Sequence, residues 1–186
     1  MPLVKDSEGR SVVPIVINDG QLPIDTSRIS PVTQSSTGET VHYFQGADVA
    51  TCEQACEAAW GAFQTRWKRA TVGERRNLLN RVAELFEERV EELARLQKLE
   101  TSCDDHWARF QVDRAVAQLR ETAACISSVK GVIPQNDKPD TMTFVYKEPV
   151  GPVLVIPPWN AALILSTRGV STAIACLLYT SDAADE

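Results

Sequence analysis

The chain has 186 residues, 44% of them apolar, and a formal net charge of -6, so it is long enough to bury the core of one domain or two small ones. This mildly acidic balance argues against nucleic acid as a partner, because phosphate binding normally needs a basic patch. No stretch is apolar for the roughly 18 residues that a membrane helix requires, so we expect no membrane partner.

The cysteines and the N-terminus indicate a cytoplasmic protein. Charged residues between positions 5 and 10 interrupt any apolar run of the kind found in a signal peptide. An odd number of cysteines without a secretory signal fits reduced thiols. Cys52 and Cys56 are spaced to share a helix face, which suggests either a metal site or a redox pair. Without further matched ligands the pattern favours neither, and we predict no metal site. The cysteines are Cys52, Cys56, Cys103, Cys125 and Cys176.

The first 45 residues predict short strands joined by turns. Residues 1–14 are expected to be a flexible end that leads into a strand over residues 12–17, where Pro14 favours an edge position. Asn18-Asp19-Gly20 predicts a turn, and a second strand follows around residues 27–30. Thr37-Gly38-Glu39 predicts another turn.

Three helices are predicted next. Asp48 is a candidate N-cap for a helix that runs to about residue 63. Thr71, with Glu74 three residues later, has the pattern of a capping box at the start of the second helix. Apolar residues recur in that second helix at helical spacing and predict its buried face, while charges of both signs predict a solvated opposite face. The predicted core residues are Leu78, Val82, Leu85, Phe86, Val90, Leu93 and Leu96.

The third helix is predicted from Asp104 to about residue 130. His106 lies in its first turn and is a candidate catalytic residue, but two neighbouring aspartates favour a surface role near the helix end. A polar break over residues 135–140 then precedes an alternating strand over residues 141–147, which is also compatible with a sheet edge.

The run Val153-Leu154-Val155-Ile156 has no polar interruption, which is typical of a parallel strand buried on both faces. Pro157 and Pro158 end the strand because proline has no amide hydrogen. Trp159 and Asn160 then fall where ligands bind in open parallel sheets. Asn160 could stabilise a developing oxyanion or simply form a turn, and Trp159 could contact a ligand or be a core aromatic. A helix is predicted over residues 161–175.

These motifs resemble the N-terminal part of the NAD(P)-dependent aldehyde dehydrogenase superfamily, over nearly all of residues 15–175. The resemblance rests on residues 148–151 (Glu-Pro-Val-Gly), residues 158–160 (Pro-Trp-Asn), residues 36–39 and the leucine-rich helix that ends at Glu100-Thr101. Residues 144–152 are similar to the branch that acts on aromatic aldehydes, such as salicylaldehyde, vanillin and benzaldehyde dehydrogenases. Ser102 and Cys103 replace the usual Gly-Lys, and Pro157 stands where Ile, Ala or Thr is more common.

The resemblance implies a truncated α/β fold. Its parts are helices, a hairpin at about residues 131–149 through which subunits associate as dimers or tetramers, and the first strand of a Rossmann-like cofactor-binding region over residues 150–160. Together these form a partial domain over residues 15–175. The implied cofactor is NAD or NADP, in a groove lined by Ile156, Pro157, Pro158 and Trp159.

The resemblance also implies the reaction of the full-length enzyme. A cysteine thiolate attacks the aldehyde to form a thiohemiacetal, and Asn160 with a backbone amide stabilises the oxyanion. Nicotinamide accepts the hydride, and a glutamate activates the water that releases a carboxylic acid. None of the five cysteines matches the family nucleophile, so we expect this polypeptide alone to be inactive.

Residues 176–186 do not resemble the family. They can be encoded by an in-frame read of a transposon-end sequencing adapter, so we interpret them as an artefactual tail, with a natural acidic terminus as the alternative. Two other functions remain open. One is a non-catalytic helical interaction module, and the other is a different Rossmann-type dehydrogenase, which the missing glycine fingerprint disfavours.

Overall fold

The computed structural model describes residues 3–176 of the chain. The artefactual tail that we predicted at residues 176–186 therefore lies outside the described residues, except for Cys176. The chain divides into two compact units, each made of two segments. The first holds residues up to 62 together with residues 91–109, and the second holds residues 63–90 together with the chain from Phe110 onward. The predicted α/β fold class is confirmed.

The first unit contains a four-stranded mixed sheet in the order β1-β2-β6-β5. The pair β2–β6 is parallel, and the pairs β1–β2 and β5–β6 are antiparallel. A separate two-stranded antiparallel hairpin is formed by β3 and β4. The strands are β1 (Val4–Lys5), β2 (Ser11–Val13), β3 (Val16–Ile17), β4 (Gly20–Gln21), β5 (Ile29–Thr33) and β6 (Thr40–Gln45).

Residues 3–14 differ from the flexible end predicted for residues 1–14, because they contain the paired strands β1 and β2. The turn between these strands is fixed by Asp6, whose carboxylate accepts hydrogen bonds from the backbone N–H groups of Glu8 and Arg10 at 2.9 and 2.8 Å. The Arg10 side chain donates to the same carboxylate at 2.7 Å. We did not predict these two strands because they are only two and three residues long and the residues between them are mostly charged or polar.

The turn predicted at residues 18–20 is confirmed. Asn18 and Asp19 have φ angles of 52° and 60°, the left-handed conformation that a tight two-residue hairpin turn requires at both central positions. Asparagine and aspartate tolerate that conformation better than most residues. This local chemistry places β3 beside β4.

Five α-helices follow these strands within residues 3–176, and the two N-caps that we predicted, Asp48 and Thr71, are confirmed. The backbone N–H of Thr51 donates to the Asp48 carboxylate at 2.7 Å at the start of the first helix. At the start of the second, Thr71 and Glu74 form the reciprocal capping box. The helices are α1 (Val49–Thr65), α2 (Val72–Glu88), α3 (Val90–Thr101), α4 (Asp105–Cys125) and α5 (Ala162–Cys176).

The predicted second helix is two helices, because the chain leaves helical geometry at Arg89 with φ -120° and ψ 23°. The predicted core of this region is wrong in part, since Leu78 and Leu85 are exposed. Leu79 and Ala83 are buried instead, so the buried stripe is displaced around the helix from the one that we predicted. The buried apolar residues of the second unit include Leu79, Ala83, Val112, Ala115, Val116, Leu119, Ala123, Ile126 and Ala175.

The hairpin predicted at about residues 131–149 is present as one antiparallel bridge. Val132 and Val145 exchange two backbone hydrogen bonds of 2.8 and 2.9 Å. Gly131 lies so close to this bridge that a Cβ there would be 2.6 Å from the Val145 carbonyl oxygen. The apolar side chains on both sides of the bridge are exposed.

The buried strand predicted over residues 150–160 is wrong. These residues are not assigned to a strand, and Leu154 and Ile156 are 83% and 77% exposed. Burial alternates instead, with Val153 and Val155 half-buried and their neighbours exposed. A strand needs hydrogen-bonding neighbours, and no strand among the described residues pairs with this segment.

Candidate functional site

The predicted site residues form one contiguous segment immediately before α5. Pro158 has extended geometry (φ -63°, ψ 147°) and precedes a short 3-10 turn, Trp159–Ala161, that leads directly into α5. Ile156, Pro157, Pro158, Trp159 and Asn160 are all exposed. The segment therefore presents two prolines, an indole and a carboxamide to solvent at the start of a helix.

Asn160 makes no side-chain hydrogen bond to any residue within 3–176, so it does not bond nearby backbone as a turn-forming asparagine would. Its carboxamide N–H groups can donate to a ligand. The 3-10 turn that contains Asn160 is continuous with the N-terminus of α5, where the positive end of the helix dipole favours an anionic group. The local chemistry suits an oxygen that carries negative charge.

Trp159 is 70% exposed, so its interpretation as a core aromatic is wrong. The indole face can cover a planar ligand, because an aromatic face is apolar and rigid. No titratable side chain belongs to residues 149–167, which makes this part of the chain electrically neutral.

Buried contacts hold α5 within the second unit. Ser171 is 1% exposed, and its hydroxyl lies 3.3 Å from that of Thr122 on α4. Four residues further along, near the C-terminus of α5, the Arg75 guanidinium on α2 donates a hydrogen bond to the Ala175 carbonyl oxygen. Burial lowers the pKa of Arg75 below its ordinary value, although the group stays charged at neutral pH. The helix that follows Asn160 is therefore tied to two others.

The extended segment before the site packs against α5 at a glycine. A Cβ built on Gly169 would lie 2.5 Å from Val155 Cγ1, well inside normal contact distance. Only a residue without a side chain permits this approach. Val155 thus faces the helix, while its neighbours Leu154 and Ile156 are exposed.

A separate cleft of about 660 Å³ lies in the first unit, and none of the predicted site residues lines it. Four of its five charged side chains are paired with one another. Arg109 binds both carboxylate oxygens of Glu91 at 2.6 and 2.8 Å and also binds Asp105 at 2.7 Å. The hydrogen bond from Arg109 lowers the pKa of Glu91 below its ordinary 4.5. These pairs involve every charged side chain that lines the cleft except Arg95.

Neither cysteines nor acidic residues form a candidate metal centre within residues 3–176. The thiols of Cys52 and Cys56 are free and exposed. His106 is exposed as well, in agreement with its predicted surface position. In the same part of the chain, every helix is too short or too polar to cross a bilayer.

The residues that support the site were missed from the sequence. The sequence pattern places Val155 in a buried strand and gives no signal for Thr122 or Ser171. A glycine in the middle of a helix is unfavourable by about 1 kcal/mol relative to alanine, which often signals a packing requirement. Gly169 was therefore the one support that the sequence could have indicated.

Comparison with known proteins identifies relatives over most of the chain. Residues 23–177 match the Aldehyde dehydrogenase family. A salicylaldehyde dehydrogenase from Pseudomonas sp. (strain C18) is 32% identical over 149 residues, covering 80% of this chain and 30% of that protein. A vanillin dehydrogenase from Pseudomonas sp. (strain HR199 / DSM 7063) is 32% identical over 164 residues, covering 88% of this chain and 34% of that protein.

Among solved structures, a salicylaldehyde dehydrogenase from Pseudomonas putida G7 in complex with salicylaldehyde has a TM-score of 0.82 to this chain at 26% sequence identity. The match covers 91% of this chain and 34% of that one. The chain thus spans about a third of the length of these relatives. With its fold and most of its sequence matched, the chain belongs to the aldehyde dehydrogenase family.

Proposed function

We propose that this chain is the N-terminal part of an enzyme that oxidises an aromatic aldehyde to a carboxylic acid with NAD or NADP. The observation that carries the proposal is the exposed Asn160 carboxamide, which has no partner within residues 3–176 and precedes the N-terminus of α5. The aromatic substrate class is supported by the names of the two relatives, which act on salicylaldehyde and vanillin.

Asn160 stabilises the anionic oxygen that forms when a nucleophile adds to the aldehyde carbon. A neutral amide is suited to this task, because it donates a hydrogen bond without carrying a proton that the oxyanion could remove. The charge on the oxygen rises as the transition state is approached, so the hydrogen bond strengthens most where it accelerates the reaction. Asn160 is the single catalytic side chain that we assign in this chain.

The residues before Asn160 fit one wall of a cofactor groove. The side chains of Ile156 and Trp159 are exposed and apolar, which suits contact with a planar ring. Pro157 and Pro158 cannot donate backbone hydrogen bonds, so at these positions any backbone contact to the cofactor is made by carbonyl oxygens. When bound, the nicotinamide would accept the hydride that leaves the aldehyde carbon.

The nucleophilic cysteine and the general-base glutamate belong, in this proposal, to sequence beyond residue 175. We place the enzyme in the cytoplasm, because all five cysteines are free thiols. We also propose that it is a dimer or tetramer associated through the hairpin at about residues 131–149. The exposure of Met142, Phe144 and Tyr146 on that hairpin supports this assignment.

The direct test is replacement of Asn160 in the product of the complete reading frame that encodes residues 1–175. Asn160→Ala should lower kcat for salicylaldehyde or vanillin about 100- to 1,000-fold, the usual loss for one oxyanion donor. The KM for the aldehyde should change much less, because the hydrogen bond strengthens mainly in the transition state.

Asn77→Ala is the matched control, because Asn77 is an exposed asparagine on α2 outside the site. It should turn over aldehyde at the wild-type rate. Equal rates for wild type and Asn160→Ala would refute the assignment of Asn160.

A non-catalytic interaction module is the second candidate function. It is favoured by the apolar side chains of Met142, Phe144, Tyr146, Leu154 and Ile156, which are all exposed. The genomic reading frame after the Ala175 codon discriminates between the two. An enzyme requires a continuation that contains a lysine-bearing strand, a glycine-rich turn, a glutamate and a cysteine, whereas an interaction module requires none.

A further inference from the structure

We infer that Gly169 is a positioning residue for Asn160, acting through Val155. This inference rests on the proposed function of Asn160 and adds the device that fixes where its carboxamide lies. It concerns only residues of the second unit.

The first step is that the segment lacks backbone hydrogen bonds within residues 3–176. None of the backbone groups of residues 150–157 bonds to a described residue, so among these residues side-chain packing is the restraint on this stretch. Its packed side chains are the half-buried Val153 and Val155. Val155 packs against the bare backbone of Gly169. A Cβ added at Gly169 would lie 2.5, 3.4 and 3.5 Å from three Val155 carbons, so a single methyl group there would clash with Val155.

The second step is that α5 is the fixed member of this contact. The Ser171 hydroxyl is buried beside Thr122, and Arg75 binds the carbonyl oxygen at Ala175. Gly169 lies between Asn160 and these two anchors along the chain. When the contact changes, the extended segment should therefore move rather than the helix.

The third step connects Val155 to the carboxamide. Only four residues separate Val155 from Asn160, and two of them are prolines with fixed φ angles. The intervening chain therefore has little freedom to absorb a displacement. A shift of Val155 by the width of a methyl group should be passed on to Trp159 and Asn160.

The experiment is an NMR comparison of the 186-residue chain and three variants, with the Asn160 side-chain amide and the Trp159 indole N–H as reporters. Gly169→Ala should shift both resonances, because the new methyl group displaces Val155. Adding Val155→Ala to Gly169→Ala should return both resonances toward their wild-type positions, because it removes the carbons that the methyl group meets. Gly73→Ala on α2, where an added Cβ comes no closer than 3.9 Å to another atom, should leave them unchanged.

Unchanged reporters in Gly169→Ala, or no return in the double variant, would overturn the inference. If Gly169→Ala does not fold, Val155→Ala alone decides, because loss of the packed carbons should increase the fast backbone motion of Leu154 and Asn160 in relaxation measurements. Unaltered relaxation there would equally reject the inference. No aldehyde or cofactor is used, so failure here is distinguishable from failure of Asn160→Ala to slow the enzyme.

Discussion

Ser102 occupies a conformation that normally belongs to glycine. Its φ angle is 56°, and it follows the last residue of α3, where a left-handed residue ends many helices. The resembled family usually has glycine at this position, which the backbone geometry explains. Serine is accommodated through its hydroxyl, which accepts a hydrogen bond from the Ser36 backbone N–H at 3.0 Å and donates one to the Ser36 hydroxyl at 2.8 Å.

The positive φ angle destabilises Ser102, whereas its two hydrogen bonds stabilise it, so two substitutions of this residue should give different results. Ser102→Ala keeps the unfavourable φ angle and loses both hydrogen bonds, so it should lower the free energy of unfolding by about 1–2 kcal/mol. Ser102→Gly loses the same bonds but relieves the strain, so its stability should stay within about 1 kcal/mol of wild type. Urea unfolding midpoints measure both. A glycine variant less stable than the alanine variant would contradict this account.

The N-cap of α1 links a helix to the pH dependence of stability. Hydrogen bonds from Thr51, followed by the hydrogen bond from Arg28, hold the pKa of Asp48 well below its ordinary 3.8. A carboxylate with a lowered folded-state pKa adds stability above its unfolded-state pKa and loses that stability as the pH falls toward the folded-state value. The contribution of Asp48 is therefore complete at neutral pH and declines below about pH 4.

Asp48→Asn should isolate the contribution of this charge. Asparagine still accepts the capping hydrogen bond, but it no longer attracts Arg28. The variant should melt at a lower temperature than wild type at pH 7, and the difference should shrink at pH 3. Thermal unfolding followed by circular dichroism measures both. A difference that is independent of pH would exclude the charge as its cause.

The elements that the sequence predicted well are the locally determined ones. Asp48, Thr71 and the turn at Asn18-Asp19 act through bonds to neighbours in the chain, so their residue types were sufficient. The buried strand over residues 150–160 failed because burial depends on partners distant in sequence, and Leu154 has none within residues 3–176. The core of α2 was misplaced because several apolar stripes were compatible with its spacing, and tertiary packing selected the one through Leu79.

The candidate site likewise has residues that a local motif indicates and supporting contacts that depend on the tertiary fold. Ile156, Pro157, Pro158, Trp159 and Asn160 were indicated by a motif, and the structure places them in one exposed segment. The contacts that support the segment join residues far apart in the chain, such as Thr122 with Ser171. No local pattern could indicate those pairs.

At the scale of the whole molecule, the described chain exposes apolar side chains that enzymes normally cover. We expect the purified 186-residue chain to form no reduced cofactor when mixed with NAD or NADP and an aromatic aldehyde, because it holds an oxyanion donor without the proposed nucleophile. Absorbance of the reduced cofactor measures this. Turnover that disappears in Asn160→Ala would show that the chain itself contains a nucleophile that we have not assigned.

The hydrogen bond between Arg75 and the Ala175 carbonyl oxygen joins residues 100 positions apart. A nascent chain is synthesised at about 5–20 residues per second. The Ala175 carbonyl oxygen is therefore made several seconds after Arg75, the residue on α2 that donates to it. During that interval the guanidinium remains hydrated and the tether for α5 is missing. We therefore expect the neighbourhood of Asn160 to become ordered last during translation, and a chain arrested before residue 175 should be cleaved there by proteases.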